Sequence, residues 1–594
     1  MGSPHRNSTG KPSGSTAAWR AAPMALLIVL VLGGFILVNE DHGPFGVHGL
    51  TPSVILADEP RQQKSDATGS SGAAAAPAPK LDFARDVAPF LKRHCYDCHT
   101  GDEAQAGLVL DKYKDEAAVT ANRQAFTKIL KMLRGGLMPP PKEVEPPPKA
   151  ERDRIVAWLD WKLNYVDCGL ARDPGRVTIR RLNRVEYRNT IRDLIGIDFE
   201  DAKDFPADDA GYGFDNIGDV LSLPPILMEK YLEAAEEIVA KAIVTRDTSK
   251  PDGKRSGGKR PKLPESHTRL ITVKPEGGRT WEAAAKEVLT NFVRRAYRRP
   301  PKEAEIDRLV ALTQLGKKNG ETFEGSVALA VQAVLVSPHF LYRIELDPEP
   351  ASPAAVRTIN EHELATRLSY FLWSSMPDEE LFREADHGTL RRNLEQQVRR
   401  MLRDDKAKAL TENFVGQWLQ LRNLDRIAPD PTRFPIWNTR LRDDARRETE
   451  LFFAGIVRED RNIFELIDAD YTFLNERLAR HYGISGVTGR EFRRVALTDR
   501  RRGGVLTQAS VLTVTSSPTR TSPVKRGKWI LEQILATEPP PPPANVEQLD
   551  EAKEVTGTLR QRLEQHRSKP MCAVCHNQMD PLGFGLENYN AIGQ

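Results

Sequence analysis

Four of the five cysteines in this 594-residue sequence lie in two short motifs, and a histidine directly follows each motif. The motifs read CYDCH and CAVCH, and they comprise Cys95, Cys98 and His99, and Cys572, Cys575 and His576. Two thiols at this spacing can form thioether bonds to the vinyl-derived carbons of a porphyrin, which places the adjacent histidine under the iron. Each motif therefore predicts a covalently attached haem c, with His99 and His576 as proximal iron ligands.

Two other chemistries use closely spaced cysteines. A thioredoxin-like redox pair requires a strand before the motif, and no strand pattern precedes either pair. A zinc site would require the two pairs to meet as four ligands although they lie at opposite ends of the chain. Both alternatives are weaker than haem attachment, and structure can test them.

A second feature supports the first haem site. Met138 lies 39 residues after His99, behind Gly135 and Gly136 and directly before three prolines. A rigid proline-containing loop can hold a thioether against the far face of the macrocycle, and methionine ligation raises the reduction potential. We therefore predict Met138 as the second axial ligand of this iron. Six-coordinate iron favours electron transfer over chemistry at the metal.

No equivalent Met-Pro loop accompanies the second motif. Met579 follows His576 too closely to reach the opposite face of the same haem easily. The remaining candidates for the sixth ligand are His566, Met571, His339, His362 and His481. An open sixth position would permit peroxide chemistry. The sequence stops soon after the motif, so we expect a truncated fragment whose missing part could supply a ligand.

The N-terminal region predicts export. Residues 21–38 form an uncharged, largely apolar run that follows Arg6, Lys11 and Arg20 and precedes acidic residues. As a helix this run would be roughly 27 Å long, just enough to span a bilayer core. We predict a transmembrane signal anchor, with a cleaved signal peptide as the alternative. Either places the rest of the chain on the periplasmic or cell-surface side, where covalent haem attachment takes place.

Composition limits the class of protein. Hydrophobic residues make up 40% and charged residues 28%, which excludes a wholly disordered or multi-span membrane chain. The formal net charge is only +4, so the overall charge of the chain does not predict a nucleic-acid partner. Five cysteines in a chain of this length are also too few for a disulfide scaffold.

Apolar periodicity predicts a mainly α-helical fold. Asn183 and Glu186, three residues apart, predict a capping box at the start of one helix. The predicted organisation is a signal anchor or signal peptide (1–45), a flexible linker (46–80), a cytochrome c-type domain (81–167), a helical domain with an acidic loop (175–245), a disordered basic insertion (248–266), two further helical domains (275–347 and 355–485), a connecting region that ends in a proline-rich spacer (486–545) and a C-terminal CxxCH segment (550–594).

The amino-acid sequences of several segments resemble those of a known protein family. FLKRHCYDCHTGD, GLVLD, GGLMPPP and VAWLDWKL are similar to the planctomycete-type cytochrome c domain. RRLNRVEYRNTIRDLIGID and CAVCHNQMDPLGFGLENYNAIGQ resemble large exported planctomycete proteins with several domains of unknown function behind that cytochrome. The resemblance implies haem binding through Cys95, Cys98, His99 and Met138, and through Cys572, Cys575 and His576.

The sequence is compatible with three functions. The first is an exported di-haem cytochrome that binds haem and transfers electrons to or from a redox partner protein or a quinone-linked chain. The second is a haem-dependent oxidoreductase, like a di-haem peroxidase, with an open C-terminal haem. The third is a surface scaffold that binds polysaccharide and carries a haem module.

Overall fold

The computed structural model describes residues 32–33, 80–140, 144–165, 177–245, 262–347, 356–539, 557–567 and 570–594. Within these ranges the chain is mainly helical, which confirms the predicted fold class. The predicted span 21–38 lies outside the described residues, apart from a two-residue strand within it. So do most of the linker 46–80, most of the insertion 248–266 and most of the proline-rich spacer. None of the helices in the described ranges combines the length and the apolar character needed to cross a bilayer.

Helices account for most of the regular structure. Those of the N-terminal part are α1 (Ala88–His94), α2 (Glu116–Ala121), α3 (Arg123–Arg134) and α4 (Lys149–Asn164). Those of the first half of the middle are α5 (Arg184–Ile195), α6 (Pro225–Ala242), α7 (Glu265–Leu270), α8 (Trp281–Ala296), α9 (Glu303–Lys318), α10 (Phe323–Leu335) and α11 (Pro338–Leu341). The remainder are α12 (Glu361–Trp373), α13 (Glu379–Asp386), α14 (Leu394–Arg403), α15 (Lys408–Leu410), α16 (Gly416–Trp418), α17 (Thr439–Arg458), α18 (Glu476–Tyr482), α19 (Ala509–Val514), α20 (Pro523–Trp529), α21 (Leu559–Arg567) and α22 (Pro570–Phe584).

The strands within the described residues are short and pair in antiparallel twos. They are β1 (Leu32–Gly33) with β2 (Val177–Thr178), β3 (Arg180–Arg181) with β4 (Tyr342–Arg343), and β5 (Tyr471–Leu474) with β6 (Arg493–Ala496). The β3–β4 pair joins positions about 160 residues apart in sequence, so it ties the start of the helical middle to the end of α11.

The N-terminal unit has a hydrophobic core of its own, in which α3 and α4 face α1. Phe126, Leu130 and Leu133 project from one face of α3, as their spacing of three and four residues requires. Trp158 and Leu159 of α4 complete this core. An ion pair between Arg93 and Glu151 (3.0 Å) links α1 to α4 on the surface.

The middle of the chain contains a large buried cluster that extends from Leu182 to Phe382 and holds α5, α6, α8, α9 and α10 together. Helix α5 begins as predicted, because the Asn183 side chain accepts a hydrogen bond from the Glu186 amide and the Glu186 carboxylate accepts one from the Asn183 amide.

Two helices near the C-terminus cross at very short distance. A Cβ atom at Gly527 of α20 would lie 1.8 Å from the Met579 carbonyl oxygen, and one at Gly583 of α22 would lie 1.8 Å from the Pro523 carbonyl oxygen. Only glycine allows the two backbones to approach this closely. The contact fixes α22, the helix that carries the second cysteine motif.

A buried arginine secures the chain that follows α22. The Arg526 side chain is 0% exposed, and its guanidinium donates to the carbonyl oxygens of Leu586 (2.7 Å), Tyr589 (3.1 Å) and Asn590 (2.9 Å). The Glu587 carboxylate lies 3.0 Å away and balances the charge. These bonds hold the irregular chain that follows the helix and satisfy its backbone carbonyl groups.

We predict that Gly527→Ala destabilises the C-terminal region, because the added methyl group would overlap the Met579 carbonyl. Overpacking of this kind costs about 1–3 kcal/mol. The measurement is thermal unfolding of the full chain together with limited proteolysis of the segment around α22.

Gly416→Ala is the matched control. Gly416 is also buried and helical, and a methyl group at this position would have its nearest neighbour, an atom of the Arg422 side chain, 3.8 Å away. Alanine there should leave stability unchanged or raise it slightly. Equal stability and equal proteolysis of the two variants would contradict the proposed close crossing.

Candidate haem sites

The first motif forms a single tight turn at the end of α1. The Cys98 amide donates to the Cys95 carbonyl oxygen (3.3 Å), and the His99 amide donates to the same oxygen (3.1 Å). Both cysteines are free thiols and are partly exposed. Burial against the core, with a smaller effect of Cys98, raises the pKa of the Cys95 thiol to about 12. The turn thus presents two unpaired thiols beside the imidazole, as covalent haem attachment requires.

One ring nitrogen of His99 makes no hydrogen bond to the described residues. This atom, Nδ1, is buried. The His99 main chain, by contrast, is fixed, because its carbonyl oxygen accepts a bond from the Leu110 amide (2.8 Å). Nε2 is the nitrogen that would bind iron in this motif, so the unpartnered Nδ1 means that no hydrogen bond from the described residues orients the His99 ring.

The predicted axial methionine lies in the loop after α3. Gly136 turns the chain with a positive φ of 62°, and its amide donates to the Leu133 carbonyl oxygen (3.0 Å). Met138 follows at the surface, with 38% of its area exposed. The residue is therefore partly exposed and is not buried in the core. Because Cys95 and α3 pack against the same core, that core positions both the motif and the start of the methionine loop.

The second motif lies within a helix rather than at the end of one. Cys572, Cys575 and His576 all belong to α22, and both thiols are free and partly exposed. Spacings of three and four residues place side chains on one face of a helix. Burial raises the pKa of Cys575, and Cys572 adds to the effect.

Asp580 is a candidate functional residue that the cysteine motif alone does not reveal. Its Oδ1 lies 2.9 Å from Nδ1 of His576, and Asp580 is 0% exposed. A carboxylate in this position fixes the ring orientation and raises the basicity of the other nitrogen, Nε2, which would bind a metal. The signal was present in the sequence, because residues four apart on a helix are neighbours.

The structure also addresses the two alternative chemistries. Among the described residues, no group of three or more His, Cys, Asp or Glu side chains is arranged to hold a metal ion. The two cysteine pairs therefore do not meet as a zinc site. Helices α1 and α21, not strands, precede the motifs in the described chain, unlike a thioredoxin-type pair.

Several candidates for the sixth ligand of a second haem already have other partners. The His481 ring lies 2.8 Å from the Ile592 carbonyl oxygen, and the His362 ring lies 3.0 Å from Asp386. His339 lies 3.5 Å from Glu305, and Met579 is only 7% exposed. The side chains of His566 and Met571 lie outside the described residues.

The unpaired thiols, the adjacent histidine and the partly exposed methionine fit a covalently bound haem c. In the first domain, Cys95 and Cys98 would form the thioether bonds, and His99 would bind the iron. A compact helical unit with this site belongs to the class of c-type cytochromes.

Comparison with protein families identifies the domain and its context. The profile described as planctomycete cytochrome C matches residues 95–142. Four profiles of proteins of unknown function follow it along the chain: DUF1587 at 180–244, DUF1595 at 284–345, DUF1592 at 359–484 and DUF1588 at 502–594. The predicted architecture is therefore confirmed: a planctomycete cytochrome c domain is followed by several domains of unknown function. No curated protein and no solved structure matches the chain.

We predict that Asp580→Asn raises the reduction potential of a haem bound at the second motif. A neutral amide accepts a weaker hydrogen bond from Nδ1 than a carboxylate does, by about 1 kcal/mol. For a one-electron couple this difference corresponds to a rise in reduction potential of roughly 40 mV. Spectroelectrochemical titration of the full chain measures the shift.

Asn577→Ala is the control, since Asn577 lies on the same helix but is exposed. This variant should keep the potential of the wild type. If Asp580→Asn and Asn577→Ala have the same potential, the proposed influence of Asp580 on the histidine is wrong.

Proposed function

We propose that this protein is a di-haem c-type cytochrome that transfers electrons. The first haem would be bound by Cys95, Cys98 and His99, with Met138 as its second axial ligand. The second would be bound by Cys572, Cys575 and His576. A haem c cycles between ferrous and ferric iron, so it supplies one-electron redox chemistry.

The observation that carries this proposal is the state of the two motifs in the fold. Each presents free, partly exposed thiols within one turn of the chain and next to a histidine. The match to a cytochrome c domain covers the first motif, and the DUF1588 match covers the second. The proposal of a second haem is therefore supported by the motif, by the geometry of α22 and by the contact between His576 and Asp580.

The two sites differ in the groups that tune the iron. At the first site, a thioether ligand from Met138 would favour ferrous iron and raise the potential. At the second site, the Asp580 carboxylate strengthens electron donation by His576, which favours ferric iron. We therefore expect electrons to pass from the C-terminal haem to the N-terminal haem. Lys131 of α3 contacts Glu538 (2.6 Å), so the first domain touches the chain that leads to the second site.

The compartment and the partner belong to the same proposal. Covalent haem attachment requires export, and the apolar run 21–38 would direct it and anchor the chain to the cytoplasmic membrane. The domain would then face the periplasm or the cell surface. A redox partner protein or a quinone-linked chain would exchange electrons with it there.

One observation favours a second candidate function, a peroxidase-like oxidoreductase. The hydrogen bond from His576 to buried Asp580 makes the proximal imidazole a stronger donor, which favours the higher oxidation states that peroxide chemistry requires. Oxidation of the reduced protein by peroxide distinguishes this candidate from simple electron transfer. An exclusively low-spin spectrum without reaction would exclude it.

A haem count with optical spectra tests the main proposal. We expect two covalent haems in wild-type protein made in cells competent in cytochrome c maturation, as counted by the pyridine haemochrome method. Met138→Ala should keep both haems but lose the sulfur-to-iron charge-transfer band, because the proposal assigns a methionine ligand to the first iron alone. His576→Ala should keep that band.

Met132→Ala is the control for Met138→Ala, because Met132 lies on α3 in the same domain. It should leave the charge-transfer band in place. A count of zero would overturn the whole proposal, and a count of one would overturn its second half. Loss of the band in Met132→Ala but not in Met138→Ala would show that the axial ligand is misassigned.

A further inference from the structure

A cavity of about 460 Å³ lies where three of the matched regions meet, away from both cysteine motifs. Arg180 and Phe214 come from the first region, Arg343 from the end of the second, and Tyr370, Phe371 and Phe414 from the third. Small-molecule sites have volumes of about 300–1,000 Å³ and often form between domains. No single matched region would form this cavity alone.

Most charged groups around the cavity already have partners. Arg180 pairs with both oxygens of Glu186 (3.0 and 2.8 Å), and Arg367 pairs with both oxygens of Glu345 (2.6 Å each). Bidentate pairs of this type satisfy both the guanidinium and the carboxylate. The lining residue Asp215 is bound by Arg422 at 2.6 Å. Asp219 is exposed and also has an interaction partner. These carboxylates are therefore not free to recruit a cation.

Arg343 differs from these groups. Its Nε is buried and has no hydrogen-bond partner among the described residues. The charges of Glu186 and Glu345 favour its ionised form, but both oxygens of each carboxylate are already paired with Arg180 or Arg367. The guanidinium instead lies 5.1 Å from the ring centroid of Tyr370. Burial lowers the pKa of Arg343 to about 10, so it still carries its positive charge at neutral pH. Three arginines (Arg180, Arg343 and Arg367) thus share two carboxylates, which leaves one partly buried positive charge in excess. Such a charge is costly, and an anion in the cavity would compensate for it.

The tyrosine beneath Arg343 is fixed in place. Tyr370 is 3% exposed, and its hydroxyl group lies 2.9 Å from the Thr190 hydroxyl and 3.4 Å from the Arg298 guanidinium. A rigid ring holds the Arg343 guanidinium in one place, which reduces the ordering cost of binding.

The remaining wall is apolar and flat. Phe371 and Phe414 are 53% and 38% exposed, although both line the cavity. The Phe214 and Phe414 rings are stacked, with centroids 5.8 Å apart and an interplanar angle of 13°. Exposed aromatic rings beside a single available cation are complementary to a ligand that is flat and apolar at one end and anionic at the other.

We propose that this cavity binds a small organic acid that has one carboxylate and a planar apolar ring. The carboxylate would accept hydrogen bonds from Arg343, and the ring would pack against Phe371 and the stacked pair Phe214–Phe414. This site is independent of the haem proposal, because none of its residues belongs to either cysteine motif.

Isothermal titration calorimetry of the full, haem-loaded chain with 2-naphthoate tests the proposal. We expect one saturable site. The neutral analogue 2-naphthamide should bind at least about tenfold more weakly, because it cannot form a charge-assisted bond with Arg343. Glucuronate, which has a carboxylate but no aromatic ring, should also bind more weakly. Equal binding of naphthoate and naphthamide, preferential binding of glucuronate, or no binding of naphthoate would each overturn the proposal.

Variants assign the binding to this cavity. Arg343→Gln should weaken naphthoate binding at least about tenfold, whereas Arg500→Gln, a change at an exposed arginine, should leave it unchanged. Because Arg343→Gln also alters the interior of the fold, Phe371→Ala provides a second test at an exposed ring. It should weaken binding severalfold, while Phe464→Ala, at a phenylalanine that is 73% exposed and outside the cavity, should not. Unchanged binding in both cavity variants would show that the acid binds elsewhere.

Discussion

The close crossing of α20 and α22 is the constraint on which the C-terminal site depends. Gly527 and Gly583 bring the two backbones into direct contact, and the neighbouring Arg526 holds the chain that follows. The crossing leaves no room for α22 to slide or rotate, since interiors are close-packed. Asp580 is therefore held in the interior, where it can orient His576. The helix that carries the second cysteine motif is thus fixed by glycine contacts and by a buried cation rather than by a disulfide or a large sheet.

The N-terminal site is built in another way. There the cysteines lie in a turn at the end of α1, and the methionine lies in a loop at the end of α3. One hydrophobic core carries both helices, so the distance between the two loops depends on packing rather than on a direct hydrogen bond. Nδ1 of His99 has no acidic partner among the described residues comparable to Asp580. The two motifs are alike in sequence, but their surroundings would favour different oxidation states of an iron bound at each.

Local signals in the sequence predicted local structure well. The helical class followed from apolar periodicity, and the capping box at Asn183 followed from two residues three positions apart. Each cysteine motif is likewise contained within five residues. Asp580 could have been found by the same reasoning, because it lies four residues after His576. The helix crossing and the cavity are different, since Gly527 meets Met579 and Arg180 meets Arg343 only after distant segments have packed. No periodicity in one segment reports such contacts.

The central claim is that both pairs of thiols carry haem through thioether bonds. Peptide-level mass spectrometry of the full chain, made in cells competent in cytochrome c maturation, measures this directly. The account predicts that the peptide with Cys95 and Cys98 and the peptide with Cys572 and Cys575 are each heavier by one haem. Two unmodified peptides with free thiols would contradict it.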